Sequence, residues 1–302
     1  MISLIALEGG FMGILKLDSD VSLFVGGFSS GLDHPEGLCW APDGFVYAGG
    51  ESGQIYRIDV DKREFKQIAS ITGRFVGGLA ADANSNIYAC TGGDDGVGIM
   101  KISNTGKVSA YSIGSNDEPI AGPNYPVFDS HGNLYVSDSG GWKEDTGKIY
   151  KIPPGGDGIV WDRSLNTFPN GLAISIDGEY LYVVMSLNSP RISRIPIHSD
   201  GSAGRSETVV ELPKTVPDGI AFDVLGNLYI SCYRPDVVYV LSKDGNLDVL
   251  AEDFEGTIMA APTNIAFCGE NLDLLLGANL GRWHLTHYNV DAKGSLLNYP
   301  LL

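Results

Sequence analysis

Residues 34–50, "HPEGLCWAPDGFVYAGG", read as a short apolar strand, a tight Pro-Asp-Gly turn and a second apolar strand, with one carboxylate, Glu36, set between Pro35 and Gly37. A lone acidic residue beside proline and glycine is ordinarily a solvated turn. Here the same phrase returns five more times: "VGGLAADANSNIYACTGG" from Val76, "PNYPVFDSHGNLYVSDSG" from Pro123, "PNGLAISIDGEYLYVVMS" from Pro169, "PDGIAFDVLGNLYISCYR" from Pro217 and "PTNIAFCGENLDLLLGAN" from Pro262. Aligned on Glu36 of the first phrase and the second residue of each later one, the copies start at Glu36, Gly77, Asn124, Asn170, Asp218 and Thr263, with spacings of 41, 47, 46, 48 and 45.

A period of that length suits a four-stranded propeller blade. Within each copy, β-favouring stretches around Asp-Gly, His-Gly-Asn or Leu-Gly-Asn turns give strand, hairpin, strand. A third strand follows, as in "GQIYRIDV", "VGIMKIS", "GKIYKIP", "PRISRIPI" and "DVVYVLS", and then a weaker fourth such as "EFKQIAS" or "LDVLAED". No segment sustains a helical period. The expected fold is all-β: a six-bladed β-propeller of four-stranded antiparallel blades, one domain over residues 1–302. The stretches "GILKLDS" and "VSLFVGG" look like third and fourth strands without a first and second, and at least one of them should complete the last blade and close the ring.

Composition agrees and narrows the partners. Hydrophobic residues make up 43% and charged ones 19%, globular usage, while 40 glycines and 15 prolines point to frequent turns. The net charge of −17, without a basic run, argues against nucleic acid. Cys39, Cys90, Cys232 and Cys268 lack metal-finger or C-x-x-C spacing and sit in apolar runs, as buried reduced thiols would. The opening "MISLIALEGGFMG" has no basic start and is broken by Glu8 and two glycines, which fits neither a signal peptide nor a membrane span, so a cytoplasmic location is expected.

In a propeller the first strand of each blade lines the channel, so equivalent repeat positions face one axis. Glu36, Asn124, Asn170 and Asp218 then converge, and Gly77 and Thr263 occupy the other two places. Two carboxylates and two amide oxygens form a hard, all-oxygen set whose like charges call for a cation. Calcium suits it best; magnesium demands a tighter octahedron and zinc favours His or Cys.

"HPEGLCW", "FPNGLAIS" and "VPDGIAFD", in that order within six copies, resemble the SMP-30/gluconolactonase/LRE-like family over nearly the whole chain. The resemblance implies a divalent metal, usually calcium, with zinc, magnesium or manganese also accepted, held by Glu36, Asn170 and Asp218. Asn124 matches the family's further asparagine near metal and substrate. It implies a metal-dependent hydrolase of lactones, with esterase or organophosphatase activity in similar propellers and a non-enzymatic binding propeller as the contrasting class. One departure bears on substrate. Sugar-lactone members carry Arg-x-Asn-Asp-Gly here, whereas this chain reads Gly122-Pro123-Asn124-Tyr125-Pro126, which shifts the expectation toward a less polar lactone or ester.

Loops following the second strands should rim the axial site, because adjacent strands run antiparallel. They bring Glu51, Asp94, Asp95, Trp142 to Asp145, Met185 to Asn188, Tyr233, Arg234 and Asn279 to Trp283 to that face. Of these, Trp142, Tyr233 and Arg234 join Asn124 and Tyr125 as the expected substrate contacts, although Arg234 could equally pair with Asp236. His34 could reach the rim or stay a surface residue, and His284 and His287 should point to opposite faces of their strand. No Gly-x-Ser-x-Gly elbow, phosphate loop or His-Glu-x-x-His is present. Asp218 is accordingly the expected base or nucleophile, with base favoured, acting on a small-molecule lactone or ester.

Overall fold

Each repeat folds into a sheet of four antiparallel strands, and six such sheets form a six-bladed β-propeller. The structure is a computed structural model that describes residues 14–93 and 97–302, so the expectations for Asp94, Asp95 and residues 1–13 lie outside the described residues. No helix among the described residues is long and apolar enough to cross a membrane.

The fifth blade shows the pattern. Val216–Phe222 lines the axis, Leu228–Arg234 and Val237–Leu241 follow outward, and Leu247–Glu252 forms the rim. The second strand is buried along most of its length on both faces, because a blade is sandwiched between two neighbours. Outer strands such as Glu64–Ser70 have one neighbour fewer and are mostly exposed.

The hydrophobic core is correspondingly divided into six wedges, one between each pair of adjacent blades. A recurrent contact joins them: a tyrosine of one second strand meets, edge to face, a phenylalanine at or next to the end of the next blade's first strand. Tyr88 with Phe128, Tyr182 with Phe222 and Tyr229 with Phe267 have ring centroids 5.1, 4.9 and 5.1 Å apart. The four cysteines are buried and reduced.

Val21–Gly26 pairs with His284–Tyr288 as the fourth strand of the sixth blade, closing the ring as expected. The stretch before it does not form a third strand. There Lys16 accepts the Asp20 N–H and donates its own N–H to the Asp20 carboxylate, making a turn that leads into the closing strand. The third place in that sheet belongs to His284–Tyr288.

Residues 294–302 add a second closure across the far end of the channel. Ser295 N–H donates to Phe222, Asn298 Nδ2 to Phe128, Tyr299 hydroxyl to Trp40, and Pro300 accepts from Ala83, so this segment ties the fifth, third, first and second blades together. Between it and the axial ring lies an apolar cavity of about 100 Å3 lined by Leu38, Leu79, Leu172, Ile220 and Ile265.

Candidate active site

The six axial positions lie at the inner end of each first strand, and pairing is interrupted there. Between Val76 and Leu79, Pro169 and Leu172, Pro217 and Ile220, and Pro262 and Ile265 two residues oppose one on the second strand; between Pro123 and Tyr125 one extra residue, Asn124, is inserted. These bulges release the axial residue from the ladder and re-aim it. In the first blade the strand begins only at Leu38, just beyond Glu36 and Gly37.

Glycine follows the axial residue in four blades, and the spacing requires it. A Cβ at Gly37 would stand 2.1 Å from the Gly77 carbonyl, and one at Gly171 would stand 2.3 Å from that of Asp218. The two remaining blades, the third and sixth, put Tyr125 and Asn264 there instead. They face each other across the channel, with the Tyr125 hydroxyl 3.5 Å from Asn264 Oδ1, at the limit of a hydrogen bond. Tyr125, read from the sequence as a substrate contact, therefore reaches across the channel and lines the apolar cavity. Burial pushes its hydroxyl pKa up.

Glu36, Asn170 and Asp218 are 8%, 4% and 9% exposed, and Asn124 is half-buried. Asn170 Nδ2 donates to Ser186 Oγ at 3.2 Å, and Ser186 donates at 2.6 Å to the carbonyl of Pro217, immediately before Asp218. Ser186 thus locks the amide to the neighbouring strand. Ser139 and Ser231 make the matching inter-blade bonds to the carbonyls of Pro169 and Thr263. These positioning serines were missed in the sequence, where their only signal is a hydroxyl placed in or just after an otherwise apolar second strand. Thr263 is also structural: its hydroxyl donates to the Glu36 carbonyl at 2.7 Å.

The charges at the centre are poorly compensated. Glu36 Oε2 is buried without a hydrogen-bond partner. Burial raises the Glu36 pKa well above its ordinary value, and the facing Asp218 raises it further. Burial likewise pushes Asp218 up to about 7, with the Asn170 amide pulling the other way. A Cβ at Gly77 would stand 3.1 Å from Glu36 Oε2, so glycine leaves the carboxylate its space. An orphaned buried oxygen, two carboxylates held against ionisation and two amides fit a hard divalent cation.

The rim residues separate. Trp142 is 60% exposed and meets Phe168, two residues before Asn170, edge to face at 5.2 Å. Tyr233 and Arg234 end the second strand of the fifth blade, with the Arg234 guanidinium 4.7 Å from the Tyr233 ring centroid and Nη1 donating to Asp236 at 2.7 Å. Of the two sequence readings of Arg234, ion pairing with Asp236 is present. His34 Nδ1 lies 2.8 Å from Asp33 and 3.5 Å from Glu51, and the ligand atoms of this trio fall within 4.8 Å of one another. Gln54 also donates to Asp33, so the rim trio is internally satisfied in a way Glu36 is not. At Gly122 the N–H donates to Asp138 at 2.7 Å, and a Cβ would stand 3.2 Å from the Gly140 carbonyl, so a side chain there would be crowded.

A family model described as the SMP-30/Gluconolactonase/LRE-like region matches residues 52–276, which include Asn124, Asn170 and Asp218 and begin after Glu36. The fold is similar to that of a gluconolactonase from Xanthomonas campestris, at 20% identity and a TM-score of 0.70 over 88% of this chain and 86% of that one. It is similar to a calcium-binding protein, regucalcin, from Agrobacterium tumefaciens, at 19% identity and a TM-score of 0.73 over 93% and 95% of the two chains. A luciferin-regenerating enzyme gives 18% identity and a TM-score of 0.74 over 93% and 99%. At these identities the structural likeness shows the fold alone. No curated protein sequence matches the chain.

Proposed function

This chain belongs to the SMP-30/gluconolactonase/LRE-like family, and on that premise we propose that it is a metal-dependent hydrolase of lactones, using calcium. The observation that carries the reading is the buried, unpartnered Glu36 Oε2 facing Asp218 on the axis. Glu36, Asn170 and Asp218, with Asn124, would hold the cation, which when bound supplies electrophilic polarisation of the substrate carbonyl.

Asp218 is the base. It takes a proton from water as the water oxygen adds to the carbonyl carbon, and the proton passes to the ring oxygen as the acyl C–O bond breaks, giving a hydroxy acid. Without the cation, burial pushes the Asp218 carboxyl up to about 7; a bound cation would favour its ionised form, the form that accepts a proton. Glu36 contributes charge, and Asn170 and Asn124 contribute amide oxygens that stay neutral. Because Gly122 stands where sugar-lactone members carry arginine, less polar lactones and aryl esters are the preferred substrates.

Rates of hydrolysis across a panel of lactones and aryl esters, with calcium and with chelator, test the proposal. Calcium-dependent turnover supports it. Calcium binding with no turnover of any member would instead leave a binding propeller, and gluconolactone as the best substrate would overturn the inference from Gly122.

A further inference from the structure

Beside the axial site, between the fifth and sixth blades, lies an open groove of about 370 Å3. Its inner wall is formed by Ala260 and Ala261, just before Thr263. On its other side stands Arg234, paired in register with Val216, two residues before Asp218. Two residues of extended chain span roughly 7 Å. The groove therefore opens within the length of a small molecule from the axial carboxylates.

Its chemistry is mixed. Phe254, 99% exposed, and the half-buried Trp283 supply apolar surface, and Arg234 and Arg282 supply guanidinium groups. Arg234 is neutralised by Asp236, which also accepts the Ala261 N–H at 3.2 Å. Arg282 differs: Nε donates to the Gly256 carbonyl at 3.4 Å, and among the described residues it has no ion pair. Glu255, the other acid at the groove, is exposed and lies beyond ion-pair distance of any cation among the described residues. A half-buried, uncompensated guanidinium is an unusual investment in a chain of net charge −17. Its planar fork matches a carboxylate.

We propose that this groove is an anion subsite that receives a carboxylate carried on an apolar or aromatic arm of the substrate. Arg282 grips the carboxylate, Arg234, already paired with Asp236, offers only its remaining N–H donors, and Phe254 and Trp283 cover the arm. The assignment rests on the hydrolytic reading of the axial site and deepens it, naming the substrate class as a lactone or ester with a remote carboxylate.

Phenyl acetate and 4-carboxyphenyl acetate present the same reacting ester without and with that carboxylate. The ratio of their kcat/KM values is the readout. Arg282→Gln should lower the anionic-to-neutral ratio about tenfold, the scale of one charge-assisted hydrogen bond, Arg282→Lys should keep part of it, and Arg234→Gln should lower it less. An unchanged ratio in Arg282→Gln overturns the subsite. Calorimetric titration with benzoate separates this failure from failure of the hydrolytic reading. Benzoate held by the unaltered protein and about tenfold more weakly by Arg282→Gln supports the subsite even where neither ester is cleaved, and absence of benzoate binding overturns it even where both are.

Discussion

Asp218, near the start of the channel-lining strand Val216–Phe222, and Asp223, just past its end, stand five residues apart and are both buried, yet their surroundings differ completely. Asp223 accepts the N–H groups of Leu225 and Asn227 at 2.9 Å each, and the Asn227 amide at 2.8 Å. Asp82 with Asn86 and Asp129 with Asn133 repeat the arrangement in the second and third blades. These aspartates make their turns. At the other end, Asp218 faces a second carboxylate, Glu36, one of whose oxygens has no donor at all. Burial alone does not distinguish a structural carboxylate from a functional one; burial without donors does.

The largest test of that contrast is Asp218→Asn. With calcium saturating, it should retain an oxygen ligand and lose roughly 10²-fold or more in kcat, the usual scale of a general base. Near-normal turnover would move the base to Glu36 or to water alone. Next comes removal of the cation: chelation from calcium at a hundred times its Kd should withdraw about 2.7 kcal/mol of stability, read as a melting temperature several degrees lower. A melting curve indifferent to chelator would mean that the axial set holds nothing.

Asp223→Ala probes the opposite end. Leaving turn donors without their acceptor should cost about 2 kcal/mol in stability, measured by urea denaturation, while cation affinity stays as it was. Loss of calcium binding in that variant would erase the distinction between the two ends. The smallest effect is expected from Glu36→Gln: without metal, relieving a buried carboxyl that faces Asp218 should raise stability by about 1 kcal/mol or less, and with calcium present the lost ligand charge should weaken binding.

The same contrast has a pH signature. The Asp218 pKa rises from 3.8 to about 7 on folding, so the folded protein holds a proton that the unfolded chain releases. Its contribution is fully present below pH 3.8 and is lost as pH climbs toward 7, so the metal-free protein should melt lower at pH 7 than at pH 5. Calcium, which favours the ionised pair, should flatten that slope, and Asp218→Asn should reduce it. A metal-free melting temperature that rises over this range would contradict the assignment.

The propeller was legible because each blade needs the same apolar strands and turns, so the pattern is written six times. Convergence of the axial positions followed from the period alone. What period could not reveal is geometry that depends on a residue's neighbours in other blades. The bulges that free Asn124 and Asn170 leave no mark beyond the glycines and prolines of ordinary turns. Tyr125 reads from the sequence as a substrate contact; that it also reaches across the channel to Asn264 is fixed by a strand three blades away. "GILKLDS" carried a strand-like alternation, and the Asp20 cap that bends it is a single residue.

The ring closure has a consequence for how the protein is made. Val21–Gly26 leaves the ribosome before any blade exists, yet its partner, His284–Tyr288, is synthesised after nearly all of them. Residues 294–302, which cross to the first, second and third blades, come later still. A nascent chain can assemble its middle blades in order, but it must carry an unpaired early strand throughout, and the entropy of joining such distant segments is met before their contacts offset it. Refolding should therefore be limited by the final meeting of the two segments, and the waiting strand is where a half-made ring is open to pairing with another chain.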